Sequence, residues 1–182
     1  SLENAISHME QAAELAPPGS YLHQLALSNA ADLYVHKGDL KRATEIYKEC
    51  VKSNNSDFHS IMGLGWISLV NDRNFLLAKR IFEFVLTHSR SPEALFKLYQ
   101  AFEAVDTSLA RKYANQFEMI ASSAQYGRMY TKNLIELNTG ILNNPANAVK
   151  LAKEEILHRG TTQTFAWLAW SLYSNGQKEE AK

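Results

Sequence analysis

Six histidines and one cysteine are the residues here best suited to metal or nucleophilic chemistry, and their spacing points away from both. His8, His23, His36, His59, His88 and His158 lie on separate segments, none forms a His-x3-His pair, and the lone Cys50 leaves no Cys-x2-Cys half-site. A zinc ion would need ligands converging from distant segments, so these histidines read as surface or partly buried side chains. Cys50 follows Ala43 at a small apolar position of a helical pattern, where a thiol behaves as a small hydrophobe rather than a nucleophile. Gly63-Leu64-Gly65 is no phosphate loop, because no strand precedes it and no Gly-Lys-Ser/Thr follows. The runs Lys153-Glu154-Glu155 and Lys178-Glu179-Glu180 read as solvated helix faces. No catalytic residue, metal ligand or cofactor site is assigned. What remains is recognition chemistry, for which the candidates are the large aromatics Trp66, Trp170 and Tyr173.

The elements that must position these aromatics are helices. Leu2 to Leu15 has one apolar face, and Ala-Pro-Pro-Gly-Ser at 16–20 stops it and caps the next helix. Tyr21 to His36 is helical, Lys37-Gly38-Asp39 is a turn with Gly as stop and Asp as N-cap, and Leu40 to Lys52 is the return helix. The phrase repeats as Phe58 to Val70 with Phe75 to Thr87, as Pro92 to Ala104 with Ser108 to Ile120, and as Gln125 to about Gly140 with Ala146 to Leu157. Thr164 to Ser174 opens one more unit. The alanines Ala5, Ala43, Ala78, Ala110, Ala148 and Ala181 recur at gaps of 38, 35, 32, 38 and 33 residues, the period of a stacked helix-pair solenoid.

Bulk composition agrees with an interaction surface better than with a nucleic-acid binder or a membrane span. Apolar residues make up 46 %, enough for an extended core, and 19 basic residues balance 19 acidic ones. A chain without a basic excess lacks the electrostatic footprint of a phosphate binder. The most apolar run, Ile61 to Val70, is about half a membrane span. A single cysteine fits a reducing cytosol and also permits an exported protein, whose signal peptide would precede residue 1.

The phrase resembles the tetratricopeptide repeat family. Its clearest copy runs from Leu27 through Ala30-Ala31, Tyr34, Gly38-Asp39, Ala43 and Tyr47 to Cys50; Phe165 to Gly176 and Ala181 repeat it, and Leu64-Gly65, Ala78 and Phe82 supply a weaker one. The third unit departs with Tyr99 at a small position, and the fourth has a weak phrase. The resemblance implies an all-α, right-handed α-solenoid of stacked antiparallel helix pairs, about four full pairs with a half repeat at each end. As one domain over 1–182, it divides into a second helix at 1–18, pairs at 20–54, 57–89, 91–122 and 123–159, and an incomplete repeat at 161–182, and reads as a piece of a longer chain. Small residues (Ala31, Gly65, Ala169 against Ala43, Ala78, Ala181) mark close helix crossings, and Tyr34, Tyr47 and Phe82 fill the neighbouring gaps.

In such a solenoid the first helix of each pair lines an inner wall. The wall positions projected from the pattern include Ser28, Asp32, Val35, Met62, Trp66, Leu69, Phe96, Gln100, Glu103, Trp167, Trp170 and Tyr173. Of these, Asp32, Met62, Trp66, Phe96, Gln100, Trp167, Trp170 and Tyr173 form the expected peptide-binding groove. The aromatics admit two readings, binding anchors or packing between hairpins. A carboxylate clamp of Lys and Asn, known in some family members, finds Ser28 and Asp32 at the matching places, and Asp32 repels a carboxylate. The expected function is a non-enzymatic scaffold for a protein or peptide segment, with no cofactor. The alternative is an assembly segment of a larger protein, packing on its own chain or on copies of itself through the open C-terminal repeat, where Phe165, Leu168, Ala169 and Leu172 lack a covering helix.

Overall fold

Helix-stop and helix-start residues cut the chain into short helices. The computed structural model describes residues 1–89 and 91–181; Lys182, where the last expected repeat ends, lies outside the described residues. Those residues form ten α-helices and no strand. Ser20, Asp39, Asp57, Asn74, Asp106 and Asn144 each accept a hydrogen bond from the backbone N–H three residues on, satisfying a donor the helix start leaves orphaned. No helix among the described residues is long and apolar enough to cross a membrane.

The chain forms two compact units, Ser1–Ala94 and Leu95–Lys182. The first holds α1 (Leu2–Leu15), α2 (Tyr21–Lys37), α3 (Leu40–Ser53), α4 (Phe58–Val70) and α5 (Phe75–His88). Each helix packs on the next, and α2 also touches α4. The crossings are made by small residues, as the repeat pattern requires: Ala31, Ala43 and Ala78 are fully buried. A methyl on Gly65 would lie 2.7 Å from Phe82 and 2.8 Å from Ile81, and one on Gly63 would collide with the Tyr47 ring. Tyr47 and Phe82 are core residues, each contributing about 1.5–3 kcal/mol by burial. Tyr34 is half-buried, and its hydroxyl donates to Glu10 at 2.8 Å.

The second unit holds the body of α6 (Glu93–Phe102), then α7 (Thr107–Ala121), α8 (Thr131–Thr139), α9 (Pro145–His158) and α10 (Thr162–Ser174). Phe96 packs on Phe117 with ring centroids 5.2 Å apart, which joins α6 to α7. From α7 onward each helix packs on its successor, and α8 touches α10. Ile135, Ala148 and Ala152 form a buried cluster covered by Leu151, Trp167 and Leu168. Each unit is thus a helical solenoid of paired helices. The first helices of the pairs are α2 and α4 in one unit, and α6, α8 and α10 in the other.

The fourth pair differs from its sequence expectation. In place of one helix over Gln125 to Gly140 there is a 3-10 turn at Ala124–Tyr126, then Gly127 at φ +52°, and α8 starts only at Thr131. A backbone in that region breaks the helix and favours glycine. At the last repeat, Leu172 is buried and Leu168 half-buried, whereas Phe165 is exposed.

Candidate functional site

Three successive first helices of the second unit meet at a cleft of about 390 Å³. Tyr99 comes from α6 and Glu103 from the turn just after it, Lys132, Ile135, Glu136 and Thr139 from α8, and Trp167 and Trp170 from α10, with Gly140 at the edge. Trp170 is 59 % exposed. Its indole N–H donates to the Thr139 hydroxyl at 3.1 Å, and that hydroxyl donates in turn to the carbonyls of Ile135 and Glu136. The ring is therefore held in one orientation while its apolar body stays in water, an arrangement with little rotamer entropy left to lose on binding. Trp167 is half-buried against the core cluster, with the Arg159 guanidinium 6.0 Å from its ring centroid. Arg159 also pairs with Glu155 at 2.7 Å.

The polar wall of the cleft is acidic. Tyr99 is buried, and its hydroxyl donates to Glu103 at 2.8 Å. Burial first, then the Glu103 carboxylate, push the Tyr99 phenol well above its ordinary range, so it stays a donor. Burial also raises the Glu136 carboxyl; Lys132 opposes that rise, Glu103 adds to it, and Lys97 opposes it again. Tyr173 is exposed on the same helix as Trp170, with the Lys178 ammonium 5.5 Å from its ring centroid.

The first unit carries its own cleft, about 730 Å³, lined by Gln24, Leu25, Ser28 and Asn29 of α2, by the turn before α4, and by Phe58 and His59. Gln24 ties its walls together, donating to the Cys50 carbonyl at 2.8 Å and to Asp57 at 3.1 Å. His59 Nε2 lies 2.9 Å from an Asp32 carboxylate oxygen, and Asp32 also accepts from the Tyr47 hydroxyl. The hydrogen bond to Asp32 holds the His59 imidazole above its usual range, against the opposing effect of burial. Burial pushes Asp32 up, and the His59 and Tyr47 hydrogen bonds outweigh it, leaving the carboxyl low. The pair therefore links the neighbouring first helices α2 and α4. Cys50 is buried, and desolvation raises its thiol. Among the described residues no group of three His, Cys, Asp or Glu side chains is placed to hold a metal ion.

The expected groove residues separate accordingly. Trp167 and Trp170 line one cleft, and Tyr173 stands exposed beyond them. Gln100 is half-buried and accepts from Lys97 at 3.4 Å. Asp32 is committed to His59 and Tyr47, and Trp66 is half-buried. Met62 and Phe96 present no surface and are corrected to core residues: Met62 is 7 % exposed on a helix flanked by α2, α3 and α5, and Phe96 is 6 % exposed beneath Tyr99 and Phe117. The groove expectation left out Lys132, Glu136, Thr139 and His59. A usable signal was present in the period, since Glu103, just after α6, and Glu136, on α8, lie 33 residues apart.

Residues 26–57 match the family described as Tetratricopeptide repeat. A tetratricopeptide repeat protein from Parabacteroides merdae superposes at TM-score 0.53 and 13 % identity, over 99 % of this chain and 69 % of that one. YrrB, described as a TPR protein with an unusual peptide-binding site, superposes at 0.51 and 16 % identity, over 100 % and 88 %. Nearly identical TPR-like repeats from Podosopora anserina superpose at 0.54 and 16 % identity, over 92 % of each chain. No curated protein matches the chain in sequence. Residues 26–57 thus match one tetratricopeptide repeat, and the helix-pair fold of tetratricopeptide repeat structures is shared along nearly the whole chain. Stacked helix pairs of this kind present extended surfaces.

Proposed function

We propose that this protein is a non-enzymatic scaffold that binds a protein or peptide segment along the face of its first helices. One observation carries the reading: Trp170 is an exposed indole fixed by Thr139 at the rim of a cleft built from three successive first helices. Large rigid aromatics beside a pocket are the usual anchors of protein interfaces. Within the second unit Gln100, Trp167 and Tyr173 extend the proposed surface; within the first unit Trp66, Asp32 and His59 belong to a separate candidate surface.

Selection of a displayed random-peptide library on the protein tests this, with Trp170→Ser as the counter-target. Binders that lose about tenfold or more in affinity on the variant, at unchanged far-UV circular dichroism, agree with it; about 1.4 kcal/mol is the scale of an interface anchor. Binders indifferent to Trp170, or none at all, contradict it. A second reading, self-association, is favoured by the exposed apolar side chains Leu157 and Phe165. Sedimentation of the wild type against Phe165→Ser distinguishes it: only that reading expects a concentration-dependent dimer lost in the variant.

A further inference from the structure

We infer that the cleft under Trp170 is a subsite for a basic side chain, lysine or arginine, projected by the bound segment. The inference rests on reading this face as a peptide-binding one, and it adds the chemistry of what enters. Two carboxylates, Glu103 and Glu136, face the cleft against one ammonium, Lys132. Neither carboxylate meets a cation at ion-pair distance among the described residues, and Glu103 accepts only the Tyr99 hydroxyl. The remaining wall includes the indoles of Trp167 and Trp170, whose ring faces attract cations through their quadrupole. Trp167 already has the guanidinium of Arg159 beside its ring, so the environment accommodates that chemistry.

An acidic occupant meets the opposite situation. It would bring a third carboxylate to two that already disfavour each other: burial and Glu103 both raise the Glu136 carboxyl. An uncharged occupant would leave that partly desolvated charge unrelieved. A cation relieves it. Lys132 does not fill the role from within: it lies one turn N-terminal to Glu136, the weaker order for a helical ion pair, is exposed, and among the described residues forms no ion pair with Glu136 at contact distance. Lys97 also acts on Glu136 at longer range, and its ammonium is engaged by Gln100. Lys132 is thus a competitor for the incoming cation, which gives the inference an unusual sign: removing a residue from the site strengthens binding.

The test uses N-acetylated, C-amidated pentapeptides with alanines flanking one central residue: arginine, its uncharged isostere citrulline, or glutamate. The indole N–H resonances of Trp167 and Trp170, assigned by single Trp→Phe changes, report binding at the cleft. The arginine peptide is expected to shift both and to bind about fivefold more tightly than the citrulline peptide, the scale of a partly exposed charge pair with a cation–π contact. Glu136→Gln should weaken arginine binding and Lys132→Gln should strengthen it, with citrulline binding unchanged in both. Citrulline or glutamate binding as well as arginine, or Lys132→Gln weakening the arginine peptide, overturns the inference and leaves the scaffold reading intact. Silence from all three peptides also overturns it, and the scaffold reading then stands or falls on the library selection.

Discussion

Replacing Gly65 by alanine sets two known effects against each other, and the structure decides between them. In an ordinary helix interior this change stabilises by about 1 kcal/mol, because alanine has less backbone entropy to lose. At Gly65 the new methyl would lie 2.7 Å from Phe82 Cε1 and 2.8 Å from Ile81 Cγ2, well inside van der Waals contact. Phe82 is completely buried, so its ring has nowhere to retreat. Overpacking of this kind costs about 1–3 kcal/mol, which exceeds the propensity gain over most of its range and leaves a net loss of about 0–2 kcal/mol. Urea denaturation followed by circular dichroism reads it as a lower midpoint at unchanged slope. Combining Gly65→Ala with Phe82→Leu should cost less than the sum of the singles, since the smaller side chain makes room. A Gly65→Ala protein more stable than wild type would refute the close α4–α5 crossing on which the repeat architecture of the first unit rests.

Other perturbations follow from the same contacts. Phe82→Ala and Tyr47→Ala should each lose about 3–5 kcal/mol in the same denaturation assay, because both side chains are core; losses under about 1 kcal/mol would contradict the packing. Asn138 is fully buried, donates to Glu118 and to the Leu134 carbonyl, and accepts from Asn147, so Asn138→Leu should cost about 1–3 kcal/mol by orphaning those partners. The His59–Asp32 pair has a defined pH signature. His59 titrates above 6.5 when folded, so its contribution is full below that pH and fades as pH rises through the folded value; Asp32 titrates below 3.8, so its contribution fades only in stronger acid. With half of the imidazole exposed, the pair is worth at most about 1 kcal/mol. His59→Gln should therefore narrow the stability difference from wild type on going from pH 5.5 to pH 9; an equal difference at both pH values would show that the charge plays no part.

Most helix boundaries were legible because their signals are local. A capping Ser, Asp or Asn followed by an apolar stripe needs no knowledge of the rest of the chain, and α2, α3, α4, α5, α7 and α9 all start that way. The helix α8 has no such signal: its N-cap is Tyr130, which makes no side-chain capping bond, and the break before it depends on Gly127. Misplacing that start left the fourth pair without a projected inner face, and Lys132, Glu136 and Thr139 were missed with it. Met62 and Phe96 show the converse error. Projecting a face from helical spacing assumes one side meets water, whereas α4 is packed by three other helices and Phe96 by two aromatic rings. His59 and Asp32 are 27 residues apart, and only the stacking of successive first helices brings them together.

Backbone amide shifts on titration with a library-selected peptide test most directly whether the first helices carry the binding face. Perturbations should concentrate on the end of α6 from Tyr99 through Glu103 just after it, Ile135–Thr139 of α8 and Trp167–Tyr173 of α10, and leave the exposed positions of the second helices α7 and α9 unmoved. Perturbations centred on α7 and α9, with the Trp170 indole resonance unchanged, would contradict it.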